Sequence, residues 1–208
     1  MRAFLLSALS LSVSYAANIL KPDIKLKLEN AKELPFIERS NALSLNIQYE
    51  AILELRESIH TELSLRTPLN YFTGWNPNGE AHVTVITPPE LVILTRDTTL
   101  TLENINQIAL SNDIQSSDLM VRGIGHGRIN AGTPQEEETF FVIVDSLKLR
   151  EIRFKIYEAF LKNGGRPESW DPAWFFPHIT IGYTKNQDLH EHQGVLKNIK
   201  HSWDQRLN

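Results

Sequence analysis

Two stretches decide how this chain is read: His82-Val83-Thr84-Val85 and His178-Ile179-Thr180-Ile181, one pattern repeated 96 residues apart. In an extended strand, residues i and i+2 point to one face and their neighbours to the other. Each histidine therefore shares a face with its threonine, while Val83, Val85, Ile179 and Ile181 turn towards a core. An imidazole and a hydroxyl held side by side on a rigid strand form a prepared polar site. With 7 His and 13 Thr in 208 residues, shuffling gives on the order of 0.4 His-x-Thr triplets. Requiring Val or Ile at the second and fourth positions lowers the expectation to roughly 0.01 per copy or less. The repeat is a signal, even after allowing for the strand preference that Val, Ile and Thr share.

Outward from the motifs, each is preceded by a helical pattern. Ile52, Leu55, Ile59 and Leu63 recur at spacings of three and four, predicting a helix over about 43–65 that Thr67-Pro68 stops. Asn76-Pro77-Asn78-Gly79 is a turn feeding a strand at 82–86, which Pro88-Pro89 ends. Before the second motif, Asp145-Ser146 caps a helix with Leu149, Ile152, Ile156, Phe160 and Leu161 inward, and Gly164-Gly165 closes it. Residues 101–110 read as a short helix. Strands are expected at 119–124 and 140–144, with a polar, Gly-containing loop over 125–138. The alternation of Ile24, Leu26 and Leu28 with charged residues predicts a half-buried strand. Residues 185–208 read as a polar tail with one peripheral helix. This order suits an α+β protein with helices on the outer faces of antiparallel sheets.

Composition narrows the functions. Forty-one per cent hydrophobic and 22% charged residues make a folded domain, not a disordered tail. The absence of cysteine excludes disulfide frameworks, zinc ribbons, iron–sulfur clusters and thiol nucleophiles. A net charge of −4 argues against a grip on long nucleic acid. At the N-terminus, Arg2 precedes thirteen uncharged residues that as a helix would span about 20 Å, short of a bilayer core of about 30 Å. Ser14-Tyr15-Ala16 supplies small residues at the −3 and −1 positions of a cleavage site. Residues 1–16 are therefore expected to be a signal peptide cleaved near Ala16. That leaves a single domain over 17–208, secreted or periplasmic, monomeric and without stable membrane insertion.

Two H-x-T-hydrophobic motifs about a hundred residues apart, each after a helix, resemble the 2H phosphoesterase superfamily, which includes 2′-5′ RNA ligase-like proteins and cyclic nucleotide phosphodiesterases. The likeness covers roughly residues 43–184, and the two tetrapeptides are its specific part. It implies two pseudo-symmetric lobes of antiparallel sheet with outer helices around a central cleft, one motif on each lobe. It also implies metal-independent hydrolysis, with no cofactor, of a 2′,3′-cyclic or 2′-5′ phosphodiester on a small nucleotide or RNA end. His82 and His178 would be the catalytic acid and base, with Thr84 and Thr180 donating to phosphate oxygens. By the same analogy His178 is the base on water and His82 the acid. The RNA ligase-like branch commonly has Arg where this chain has Tyr183, and aromatic-Leu-Gly where it has Thr87-Pro88-Pro89. The alternatives are a non-catalytic nucleotide-binding module with the same cleft, a 2H enzyme acting on a non-RNA phosphodiester, and a structural envelope protein whose motifs are merely strands.

Further substrate-binding candidates are Tyr183, Gly182 and Arg122. A regular strand points Tyr183 away from the His178–Thr180 face and puts Gly182 on it, where a missing side chain would let a ligand approach. Arg122 and Arg128 flank the Gly-rich run 123–127, which reads as a hairpin and could supply phosphate contacts. Trp75, Trp170, Trp174 and Phe175 lie in loops before the motifs, placed either to stack on a base or to seal a lobe. His190-Glu191-His192 has metal-like residues without a third ligand in the sequence, and reads as solvated surface.

Overall fold

The computed structural model describes residues 19–30, 34–74 and 76–208. The expected signal peptide and Trp75 lie outside them. The strands β1 (Leu43–Ile47), β2 (Ala81–Ile86), β3 (Met120–Ile129), β4 (Glu137–Asp145) and β5 (His178–Tyr183) form one antiparallel sheet in the order β1-β2-β5-β4-β3. The two motif strands are therefore neighbours near its middle, and Val83 pairs with Ile179 across the join. The α+β class and the antiparallel sheet are as the sequence implies.

One face of the sheet is apolar. Leu43, Leu45, Val83, Val85, Ile179, Ile181, Phe140, Val142 and Val144 meet α2 (Tyr49–Glu62) and α5 (Leu147–Lys162) in the main core. The helix before each motif packs under the strand of the other motif, α2 under β5 and α5 under β2, which interlocks the two halves. The β1 edge is capped by Gln115, whose side-chain amide exchanges hydrogen bonds with the Asn46 backbone at 2.9 and 3.3 Å. The β3 edge is covered by residues 203–208, with Asn208 pinned to Ile124 and Trp203 bridged to Gly125. Each open edge is thus partly covered against intermolecular pairing. Among the described residues, no helix is long and apolar enough to cross a membrane.

Three sequence expectations are corrected. The Ile24–Leu28 stretch is helix α1 (Pro22–Glu29): Pro22 suits the first turn, Ile24 and Leu28 are buried four apart, and Leu26 is 60% exposed. The helix expected from residue 43 begins at Tyr49, because its first five residues form the fully buried strand β1. The expected loop 125–138 shrinks to residues 130–136, since β3 and β4 extend towards each other. Pro88-Pro89 does end β2, but it also starts α3 (Pro88–Arg96), which Thr87 and Glu90 cap reciprocally. The helix at 101–110 stands as α4 (Leu102–Ser111).

Arg153 fastens this frame beneath β2. Its side chain is 1% exposed and donates to Val85 O at 2.6 Å, Pro172 O at 2.9 Å, Trp174 O at 3.1 Å and Glu90 Oε1 at 2.8 Å. Trp170 Nε1 donates to the same Glu90 oxygen, so this tryptophan seals a lobe. Burial would raise the Glu90 pKa, but Arg153, the Thr87 backbone and Trp170 outweigh it and hold the carboxyl below its ordinary value. Replacing Arg153 with Met leaves a largely buried carboxylate and several carbonyls without a donor. Urea unfolding at pH 7 is expected to show a loss of about 3–5 kcal/mol. Glu90's contribution is complete above its unfolded pKa near 4.5 and fades as it protonates. The deficit of the variant should therefore narrow below about pH 4.5.

Candidate active site

The opposite face of the sheet is polar. Because Val83 pairs with Ile179 in antiparallel register, His82 stands across from Thr180 and Thr84 across from His178. Diagonal neighbours in such a pair have Cα atoms roughly 7–8 Å apart. The two imidazoles therefore stand diagonal to each other on one face of the sheet. On β1, Asn46 and Ser44 pair with His82 and Thr84 and extend the polar face.

Each imidazole has its Nδ1 near an acceptor two residues upstream. His178 Nδ1 donates to Phe176 O at 2.8 Å, which fixes the neutral tautomer with its lone pair on Nε2. His82 Nδ1 lies 3.3 Å from Glu80 Oε1, within reach of an ion pair when the ring is protonated. Glu80 is buried, and Arg39 Nη1 pairs with the same oxygen at 3.0 Å. Phe72 lies against His82 with ring centroids 5.3 Å apart, and against Tyr183 at 5.8 Å.

The second motif is enclosed by residues that the sequence placed in a solvated tail. Asp188 is buried and accepts from Thr180 Oγ1 at 2.7 Å, from Lys197 Nζ at 2.6 Å, and from Thr139 Oγ1. Lys197 has no exposed side-chain surface and also donates to His178 Nε2 at 3.1 Å. Leu189 and Val195 pack with Phe141 and Ile143 over β4 and hold the segment down. Gly127 permits this, because a Cβ there would collide with Val195. His178, Asp188 and His190 bring ligand-type atoms within 4.8 Å of one another. The Lys197 ammonium already bonds two of them, so the cluster is an ion-pair network. His190 is half-buried beside it rather than on solvated surface.

Burial lowers the pKa of both motif histidines. For His82 the buried site comes first and Arg39 adds to it, while Glu80 opposes. For His178 burial again dominates, the Lys197 ammonium adds to it, and Asp188 opposes, leaving the ring far below its ordinary value. Lys197 is lowered by burial against the pull of Asp188. Burial would raise the Asp188 pKa, but Lys197 and the neighbouring histidines hold it below the carboxylate range.

A family model described as "Swiss Army Knife, 2H phosphoesterase domain" matches residues 41–190, well over half of the chain. The chain belongs to the 2H phosphoesterase family. No curated protein and no solved structure matches it. A phosphoesterase hydrolase is what this membership supports. The match includes both motifs and Asp188 but ends before Lys197.

The predicted site residues separate within this frame. His82, Thr84, His178 and Thr180 share one face. Thr84 is half-buried, and among the described residues no hydrogen bond engages its hydroxyl. Thr180 is corrected: its hydroxyl is committed to Asp188 and not free for a phosphate. Gly182 is corrected too. A Cβ there would lie 2.8 Å from Asn70 O and from Leu69 Cβ, so the glycine admits the chain segment bridged to Tyr183, not a ligand. Tyr183 reverses its expected side. The β4–β5 register skips Ile181, and this irregularity pairs Tyr183 with Thr139, whose hydroxyl reaches Asp188 on the site face. Arg122 lies on the edge strand, paired with Asp145 at 3.5 Å and away from the histidines. Arg128 pairs with Glu136. Trp174 is exposed and stacks edge-on with Phe176, next to the second motif.

Sequence reasoning missed Glu80, Arg39, Asp188 and Lys197. Glu80 had a readable signal, two residues before His82 and therefore on its face if the strand extends. For Asp188 and Lys197 the clue was Leu189 and Val195, apolar residues that a solvated tail does not need.

His82, His178 and His190 all have lowered pKa values in the fold, whereas unfolded imidazoles titrate near 6.5. Below that pH the unfolded chain takes up protons that the folded one refuses, so stability is complete above about pH 6.5 and declines as pH falls. Urea midpoints should drop between pH 7.5 and pH 5, and His178→Asn should flatten that slope.

Proposed function

We propose that this protein is a metal-independent phosphodiesterase that hydrolyses a 2′,3′-cyclic or 2′-5′ phosphodiester on a small nucleotide or RNA end. The observation that carries the reading is the pair of imidazoles standing diagonally across two central strands, each with Nδ1 against a fixed acceptor. That leaves Nε2 as the working atom on both.

For a cyclic phosphate, water attacks phosphorus and loses its proton to His178 Nε2. The P–O3′ bond breaks, the ribose 3′ oxygen takes a proton from His82, and the product keeps a 2′-phosphate. Of the two, His82 is the better placed acid: burial and Arg39 lower its pKa, but the Glu80 carboxylate beside it opposes that lowering, whereas an ammonium lies beside His178. His178 suits the base because its surroundings keep it neutral. Thr84, with its hydroxyl unspent, supplies the donor to a non-bridging oxygen. Phe72 and Tyr183 line the approach to His82 and offer aromatic faces to a base or ribose. Export of the mature chain, read from residues 1–16, belongs to the same proposal and points to substrates outside the cytoplasm.

The test is hydrolysis of the four 2′,3′-cyclic nucleotides by the mature protein in EDTA. Turnover is expected, with a loss of about 10²–10⁴-fold for His82→Ala or His178→Ala. Thr84→Val should cost kcat about 10²-fold or more. Thr180→Val should chiefly lower the unfolding midpoint, because its hydroxyl serves Asp188. Nucleotide binding without turnover would favour a binding module. Turnover only on other diesters would move the substrate and keep the chemistry.

A further inference from the structure

The two motifs match in sequence and in strand geometry, yet the charged group nearest each imidazole differs in sign. His82 faces the carboxylate of Glu80 at 3.3 Å. His178 faces the ammonium of Lys197 at 3.1 Å. We propose that Lys197, held by Asp188, is a positioning residue that keeps His178 neutral in the free enzyme by donating to Nε2 while Phe176 O holds Nδ1–H, so that His178, once Nε2 is released, enters the reaction as the proton acceptor.

With both ring nitrogens engaged in this way, His178 cannot carry a second proton without putting an N–H against an ammonium. The burial makes the effect strong. Lys197 has no exposed side-chain surface and Asp188 has 1%, so neither charge is screened by water. Asp188 also gathers Thr180 and Thr139, which fixes the ammonium relative to β5 and β4. Among the described residues, the charged and titratable groups acting on the two histidines are these. Asp188, His190 and Lys197 of the C-terminal segment act on His178, with Glu191 behind Lys197. Glu80 and Arg39 act on His82, together with the more distant Asp188. Arg39 and Asp188 partly offset their neighbours, and the contacts to the rings themselves retain opposite signs.

Water must replace the Lys197 N–H on Nε2 before His178 can accept a proton. The ammonium is fully enclosed, so the exchange requires Lys197 to draw back from Nε2 towards Asp188. An ammonium has three donors, and Asp188 and His178 take two of those on Lys197. Lys197 lies beyond the matched family region, so the C-terminal segment completes the second half-site.

This inference rests on the two-histidine hydrolysis proposed above, and its test separates the two. Histidine ring signals, assigned with single His→Asn variants, are followed by NMR from pH 8 to pH 4. In the wild type, His178 should stay neutral to lower pH than His82. In an Asp188→Asn/Lys197→Met double variant, which removes both buried charges together, the His178 midpoint should rise, because Lys197 lowers it more than Asp188 raises it. The acidic limb of kcat/KM should move up with it. A wild-type His178 that titrates at or above His82 overturns the proposal, and this comparison needs no charge variant to fold. A folded double variant with an unshifted His178 overturns it as well. If no protein hydrolyses a phosphodiester, the proposed activity fails, while the titrations still decide the role of Lys197.

Discussion

The pairing of Val83 with Ile179 is the constraint on which the rest of the site depends. Two strands of the same pattern could lie parallel, antiparallel or apart, and only one arrangement gives this constellation. Antiparallel pairing at the residue between His and Thr sets each histidine across from the other motif's threonine. A shift of one residue would turn the imidazoles into the core, because strand side chains alternate with period two. The apolar residues of the motifs prevent that slip. Val83, Val85, Ile179 and Ile181 are all fully buried against α2 and α5. The core thus fixes the register, and the register fixes the chemistry.

Buried charge is the other feature of this design. Arg153 with Glu90 lies under β2, and Lys197 with Asp188 lies over β5. Burying such pairs seldom adds stability over apolar packing, since desolvation offsets most of the attraction. Their value is that each can be satisfied in one geometry only. Arg153 ties α5 to the end of β2 and to the loop before β5. Lys197 and Asp188 tie the C-terminal segment to the second motif. The first pair maintains the interlock of the two halves, and the second sets the field in which His178 works.

How much of this was legible follows from the range of each signal. The motif strands, α4 and α5 were readable because their apolar spacing and capping residues are local. Ser146 caps α5 as its sequence suggests, and both motif strands begin within a residue of their expected starts. The alternation at Ile24–Leu28 misled, since residues four apart satisfy a helix as well as a strand. Tyr183 and Gly182 were assigned by strict alternation, which the irregularity at Ile181 breaks, and such irregularities leave no local mark. Asp188 and Lys197 look like any surface pair in a polar stretch. Their burial is decided by what Leu189, Val195 and the glycines of β3 allow, and those contacts are long-range.

The departures from the RNA ligase-like pattern have physical counterparts. Thr87-Pro88-Pro89, which replaces aromatic-Leu-Gly after the first motif, builds the N-terminus of α3 and brings Glu90 to Arg153. The residue five places after His178 is Tyr183 instead of Arg, and it still reaches the site face because of the β5 irregularity. What an arginine at that position would add is positive charge near the substrate. Here the cations come from elsewhere: Lys197 from the C-terminal segment and Arg39 from the segment before β1. The Lys197 ammonium lies behind His178 and the Arg39 guanidinium behind Glu80, both more buried than a surface arginine. Charge held in that way acts over a short range on the sheet face, where His82 and His178 stand diagonally, and not along an extended surface.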